Sequence, residues 1–142
     1  MNTVGFVMML DVSASIGSDI ELLKIYSKAF VRQALPMDQF GVNQFRDCAS
    51  WIYPAGADPD IATVSPFKAE TEEAANLIEN IISSGNTNIG EAIRLGNSMI
   101  KKSISDVNAF VLFSDGEHNT GPYPDTVLEN MPPLYVAALG YW

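Results

Sequence analysis

Two stretches of the chain are apolar at every position: Phe6-Val7-Met8-Met9-Leu10 and Phe110-Val111-Leu112-Phe113. Unbroken apolar runs, as opposed to alternating ones, predict strands covered on both faces, as in the parallel sheet of an α/β fold. Residues 4–10 and 109–113 are therefore read as two central parallel strands. A further strand is expected over Gln39–Phe45, where Asn43 and Gln44 leave the register open, and another over Ala49–Tyr53. The turn Arg46-Asp47-Cys48 between them is too short for a crossover, so they form a hairpin. The Ala49–Tyr53 strand is then antiparallel and sits at an edge. A fifth strand is expected over Leu134–Leu139.

Helical spacing fills the intervals. Ser18-x-x-Glu21 has the form of a capping box and predicts a helix start. Leu22, Tyr26, Ala29 and Phe30 follow on one face, with Leu23 and Ala34 at its edge, and Pro36 ends the helix. Glu21, Lys24, Lys28 and Arg32 form a solvated opposite face. Residues 54–67, with Pro54, Gly56, Pro59 and Pro66, read as an irregular loop. Ala74, Leu77, Ile78, Ile81 and Ile82 make the apolar stripe of a helix over roughly 70–82. Glu70, Glu72 and Glu73 stand in its first turn, where the helix dipole favours anions. Asn88 is expected to cap the next helix, which buries Ile89, Ala92, Ile93, Gly96, Met99 and Ile100. A short helix is expected near Pro124–Asn130. The order β-α-β-β-α-α-β-α-β predicts a doubly wound, mostly parallel sheet with one antiparallel edge strand.

The 142 residues suit a single domain. A net charge of −9 argues against nucleic acid and anionic membrane surfaces. The lone Cys48 excludes an internal disulfide and is read as a buried thiol. No apolar run is long enough to span a bilayer, and residues 4–10 make neither an h-region nor a basic n-region of a signal peptide. The chain is thus expected to be cytoplasmic, or to be a domain of an exported protein.

Both central strands end in oxygen-bearing residues: Asp11-Val12-Ser13-Ala14-Ser15 after the first, Ser114-Asp115-Gly116 after the second. Between them lies the polar loop Gly85-Asn86-Thr87-Asn88. The crevice of an open α/β sheet forms at the carboxyl ends of its strands. Neighbouring strands would bring Asp11, Ser13, Ser15, Thr87 and Asp115 to one spot. Carboxylates and hydroxyls without Cys or His suit hard cations such as Mg²⁺, Mn²⁺ or Ca²⁺. Thr87 taken alone could be a helix cap, but Asn88 is the better cap.

The pattern D-x-S-x-S, then a distant Thr, then a distant Asp, resembles the metal-ion-dependent adhesion site of von Willebrand factor A domains. The resemblance implies a module for adhesion or protein interaction and not an enzyme. The ion would be held by Asp11, Ser13, Ser15, Thr87 and Asp115, the two aspartates acting largely through bound water. An exchangeable position would accept an Asp or Glu carboxylate from a protein partner. The alternative is a metal-dependent phosphoesterase or hydrolase of doubly wound fold. Ser13 stands where a haloacid-dehalogenase-like phosphatase would carry a second Asp. Leu139-Gly140-Tyr141-Trp142 lacks the Lys of a response-regulator receiver, and no phosphate-binding Gly-x-x-x-x-Gly-Lys loop occurs. His118, the one histidine, lacks a nucleophile elbow and reads as an exposed loop residue.

Family members usually continue past the fifth strand with a helix, a strand and a final helix. Here the chain stops at Trp142. The expectation is a single domain over 1–142 that lacks this extension, with a bare fifth-strand edge and a partly uncovered sheet face. Such an edge invites self-association.

Overall fold

A computed structural model describes residues 2–56, 60–115 and 132–138. Among the described residues, six strands form one sheet: β1 (Val4–Asp11), β2 (Gln39–Phe45), β3 (Ala49–Tyr53), β4 (Ala62–Thr63), β5 (Val107–Ser114) and β6 (Leu134–Ala138). Their order is β3-β2-β1-β5-β6, with β4 paired to β2 off this path. The β1–β2, β1–β5 and β5–β6 pairs are parallel, while β3 and β4 run antiparallel to β2. The doubly wound, mostly parallel sheet expected from the sequence is present. Its two unbroken apolar runs are adjacent central strands, with Met8 beside Val111 and Leu10 beside Phe113. β4 is an addition, inside the stretch 54–67 that reads as a loop. Two residues pair with Gln39 and Phe40, too few to leave a periodic signature.

Each face of the sheet has its own core. Phe6, Met8 and Leu10 of β1 pack with Phe40, Val42, Val111 and Phe113 beneath helices α1 (Ile20–Val31) and α2 (Ala69–Glu79). Val7 and Met9 point the other way and pack with Phe45, Phe110 and Leu112 under α3 (Ile89–Ile100). Alternate side chains of a strand face opposite sides, so a strand with helices on both sides must be apolar throughout. Asn43 of β2 is buried on the α3 side, where its Nδ2 donates to the Ala92 carbonyl at 3.3 Å.

The helices depart from the periodic reading in instructive ways. The Ser18 capping box does not form. A 3₁₀ turn over Ala14–Asp19 precedes α1, and Asp19 occupies the cap position without a side-chain cap bond. The buried stripe of α1 is Leu23, Ser27 and Val31, while Leu22, Tyr26, Ala29 and Phe30 are exposed. Ser27 is accommodated because its hydroxyl donates to the Leu23 carbonyl at 2.6 Å. The basic face of α1 is not simply solvated, since Lys28 pairs with Glu79 and Arg32 with Glu72 of α2. These exposed pairs join two neighbouring helices and add little stability. Glu70 accepts from the Ser65 backbone and hydroxyl, both at 2.9 Å, bonds that hold its carboxyl below the usual range. Ile82, expected on the apolar stripe of α2, lies beyond the helix end at Glu79 and is exposed. Asn88 caps α3 as expected, accepting from the Glu91 amide at 3.1 Å. Cys48 is exposed, not buried, because it sits in the tight β2–β3 turn. The helix expected near 124–130, residues Gly116–His118 and Leu139–Trp142 lie outside the described residues.

Candidate functional site

The carboxyl ends of β1, β2 and β5 come together at one rim of the sheet. β1 ends at Asp11, whose register partner on β2 is Phe45, and β5 ends at Ser114. Asp11 is fully buried. Its Oδ1 accepts from the Ser13 amide at 3.0 Å and from Ser13 Oγ at 2.5 Å. Its Oδ2 accepts from Ser114 Oγ at 2.7 Å. Ser13 Oγ lies 3.0 Å from Ser15 Oγ. A hydroxyl has one proton. With that of Ser13 committed to Asp11, Ser15 is the donor in this pair. The turn after β1 thus arranges a carboxylate and two hydroxyls within three hydrogen bonds.

Burial raises the Asp11 carboxyl above its ordinary value, opposed by the hydrogen bonds from Ser13 and Ser114 and reinforced by the negative charge of Asp115. Asp115, partly buried just beyond β5, is therefore close enough to act on Asp11 electrostatically. Among the described residues no basic side chain shifts Asp11.

Thr87 is fully buried in the loop between α2 and α3. Two backbone bonds tie this loop to the Asp11–Ser15 turn: Ser84 N to the Val12 carbonyl at 2.8 Å and Ala14 N to the Gly85 carbonyl at 2.9 Å. Of the five residues singled out from the sequence, Asp11, Ser13 and Ser15 are joined by direct bonds. Asp115 reaches Asp11 through its charge. Thr87 is on a loop bonded to the same turn. Ser114 is the member whose role sequence reasoning missed. Its signal was its place at the end of a buried strand, level with Asp11 on the neighbouring strand. Among the described residues no three His, Cys, Asp or Glu side chains gather at one point.

The sequence profile of the von Willebrand factor type A domain matches residues 6–118. The chain belongs to this family. Von Willebrand factor A domains are commonly non-enzymatic modules of adhesion or protein interaction. A von Willebrand factor type A structure from Catenulispora acidiphila superposes with a TM-score of 0.82 at 14% identity, over 95% of this chain and 32% of the other. BatB from Bacteroides thetaiotaomicron gives 0.70 at 25% identity, over 96% and 66%. Proximal thread matrix protein 1 from the mussel byssus, in a form with a zinc-occupied metal-ion-dependent adhesion site, gives 0.70 at 17% identity, over 96% and 35%. This A domain thus spans about a third of the length of two of these structures. A search of curated proteins finds no match. Among the described residues no helix is long and apolar enough to cross a membrane.

Proposed function

We propose that this von Willebrand factor A domain binds a protein partner through a divalent cation. Asp11, Ser13, Ser15, Thr87 and Asp115 would hold the ion. Mg²⁺ is the first choice, with Mn²⁺ or Ca²⁺ as substitutes. The observation that carries this reading is the state of Asp11: a fully buried carboxylate with a serine hydroxyl donating to each oxygen, and, among the described residues, shifted by no basic side chain. A buried charge needs compensation, and a cation supplies it. Ser13 gives its proton to Asp11 and accepts one from Ser15, so one of its two lone pairs remains for an ion. Asp11 then acts as an orienting base behind the ligands, the usual role of a group that hydrogen-bonds metal-binding side chains.

The donor set fits a hard ion, because every candidate atom is oxygen. Two aspartates balance a divalent charge, and the hydroxyls add none. Such an ion keeps its attraction for an external anion, and a partner's Asp or Glu carboxylate is the natural occupant of its remaining position. The mussel protein with its zinc-occupied site lends support by likeness of fold.

The test is a peptide array in which each peptide carries a single Asp or Glu, probed with labelled domain in Mg²⁺ and in EDTA. Binding is expected only with metal and only to carboxylate-bearing peptides, with loss on Asp→Asn or Glu→Gln in the peptide. Ser13→Ala and Thr87→Ala should weaken it without unfolding the domain. Binding that survives EDTA or the amide peptides refutes the proposal. The hydrolase alternative predicts metal-dependent turnover of a simple phosphoester or ester, lost in Asp11→Asn, and that result would replace the binding reading.

A further inference from the structure

We infer that Asp47, in the β2–β3 turn, is a positioning residue that sets Thr87 at the metal site. The inference rests on the metal-dependent reading above. Thr87 would serve the site from a loop, and something must fix that loop. The β2–β3 turn also grips it. Arg46 Nη1 donates to Ser84 Oγ at 2.5 Å. Asp47 Oδ1 accepts from the Asn86 amide at 3.3 Å and from Asn86 Nδ2 at 2.9 Å. The Asp47 carbonyl accepts from Asn88 Nδ2 at 2.8 Å. Asn88 Oδ1 meanwhile caps α3, so one side chain joins the hairpin to that helix.

Thr87 is flanked on both sides by residues bonded to Asp47. The turn of the loop depends on the same contact. Gly85 has φ +77°, and a Cβ there would collide with the Asp47 carboxylate. The carboxylate therefore lies against the one residue whose lack of a side chain lets the chain bend. The two backbone bonds to Val12 and Ala14 also hold the loop.

A ligand that needs one loop conformation binds with an affinity scaled by the fraction of molecules in it. Without the Asp47 acceptor the loop samples more conformations, and the ion must select the productive one. Loss of hydrogen bonds of this kind should weaken the ion by about fivefold.

The measurement is calorimetric titration of Mn²⁺ into wild type, Asp47→Ala, Asp47→Asn, Thr87→Ala and the Asp47→Ala/Thr87→Ala double variant. It is paired with amide hydrogen exchange of residues 84–88 in metal-free wild type and Asp47→Ala. Asp47→Ala should weaken Mn²⁺ about fivefold and speed exchange in the loop. Asp47→Asn should restore most of the affinity, because the amide oxygen still accepts from Asn86. The double variant should bind no more weakly than Thr87→Ala alone, since Asp47 acts through Thr87. Additive losses, or no rescue by Asn, overturn the inference. Failure of wild type to bind Mn²⁺ refutes the metal-site reading instead. The hold of Asp47 on the loop is then decided by the metal-free exchange, and unchanged exchange in Asp47→Ala overturns it.

Discussion

Adding Mg²⁺ should stabilise this domain, and Asp11→Asn should abolish the response while stabilising the metal-free fold. An ion that binds only the native state at ~100 times its dissociation constant contributes roughly 2.7 kcal/mol. Unfolding entropy near ~2.1 cal/mol/K per residue, over this chain length, converts that into a rise of about 9 °C in melting temperature. The variant works in the opposite direction. Burial raises the Asp11 carboxyl above its ordinary value in the metal-free fold. The folded state then keeps its proton to higher pH than the unfolded chain. Stability must fall as pH climbs from the unfolded value through the raised folded one, and level off above it. Each pH unit of that window costs ~1.4 kcal/mol. The amide of Asp11→Asn does not titrate. Its oxygen can still accept from Ser13, and the Ser114 hydroxyl can turn to accept from its nitrogen. Metal-free Asp11→Asn should therefore exceed wild type at neutral pH and converge with it in acid. Differential scanning fluorimetry across the acid-to-neutral range, with Mg²⁺ and with EDTA, reads all four curves. An equal Mg²⁺ shift in both proteins would remove Asp11 from the metal site. A metal-free wild type more stable than Asp11→Asn at neutral pH would show that burial does not penalise this carboxylate.

Gly85→Ala places a side chain at φ +77° against Asp47, so chemical denaturation should show a loss of about 1–3 kcal/mol, and Mg²⁺ affinity should fall with it. A stability equal to wild type would mean that the loop takes another path. The groove of about 420 Å³ between α1 and β5–β6 is lined by Tyr26, Phe30, Val111, Phe113, Tyr135 and Ala137 among others, and among the described residues β6 pairs only with β5. Sedimentation velocity of the 142-residue chain should accordingly show concentration-dependent association that Val136→Lys reduces, because an edge charge opposes strand addition. A monomer at every concentration would count against it.

The apolar periodicity determined which segments are strands and which are covered on both faces, because burial on two sides leaves no room for polar alternation. It also determined where oxygen-bearing residues gather, since Asp11 and Ser114-Asp115 end the very strands that the pattern makes central. The cap at Asn88 was equally local, resting on a bond to the Glu91 amide three residues away.

Contacts between segments distant in sequence were decided only by the tertiary structure. The apolar face of α1 was legible, but which of its stripes is buried was not. Leu23, Ser27 and Val31 face the core while Tyr26 and Phe30 line the groove, and a buried serine satisfied by its own helix carries no hydrophobic signal. β4 exists through pairing with Gln39 and Phe40 rather than through its own two residues. Ser114 binds Asp11 across 103 positions, and Asp47 reaches Asn86 across 39. Sequence spacing reports what a residue does to its own helix or strand. It is silent on a hydrogen bond whose partner is brought near only when the sheet assembles.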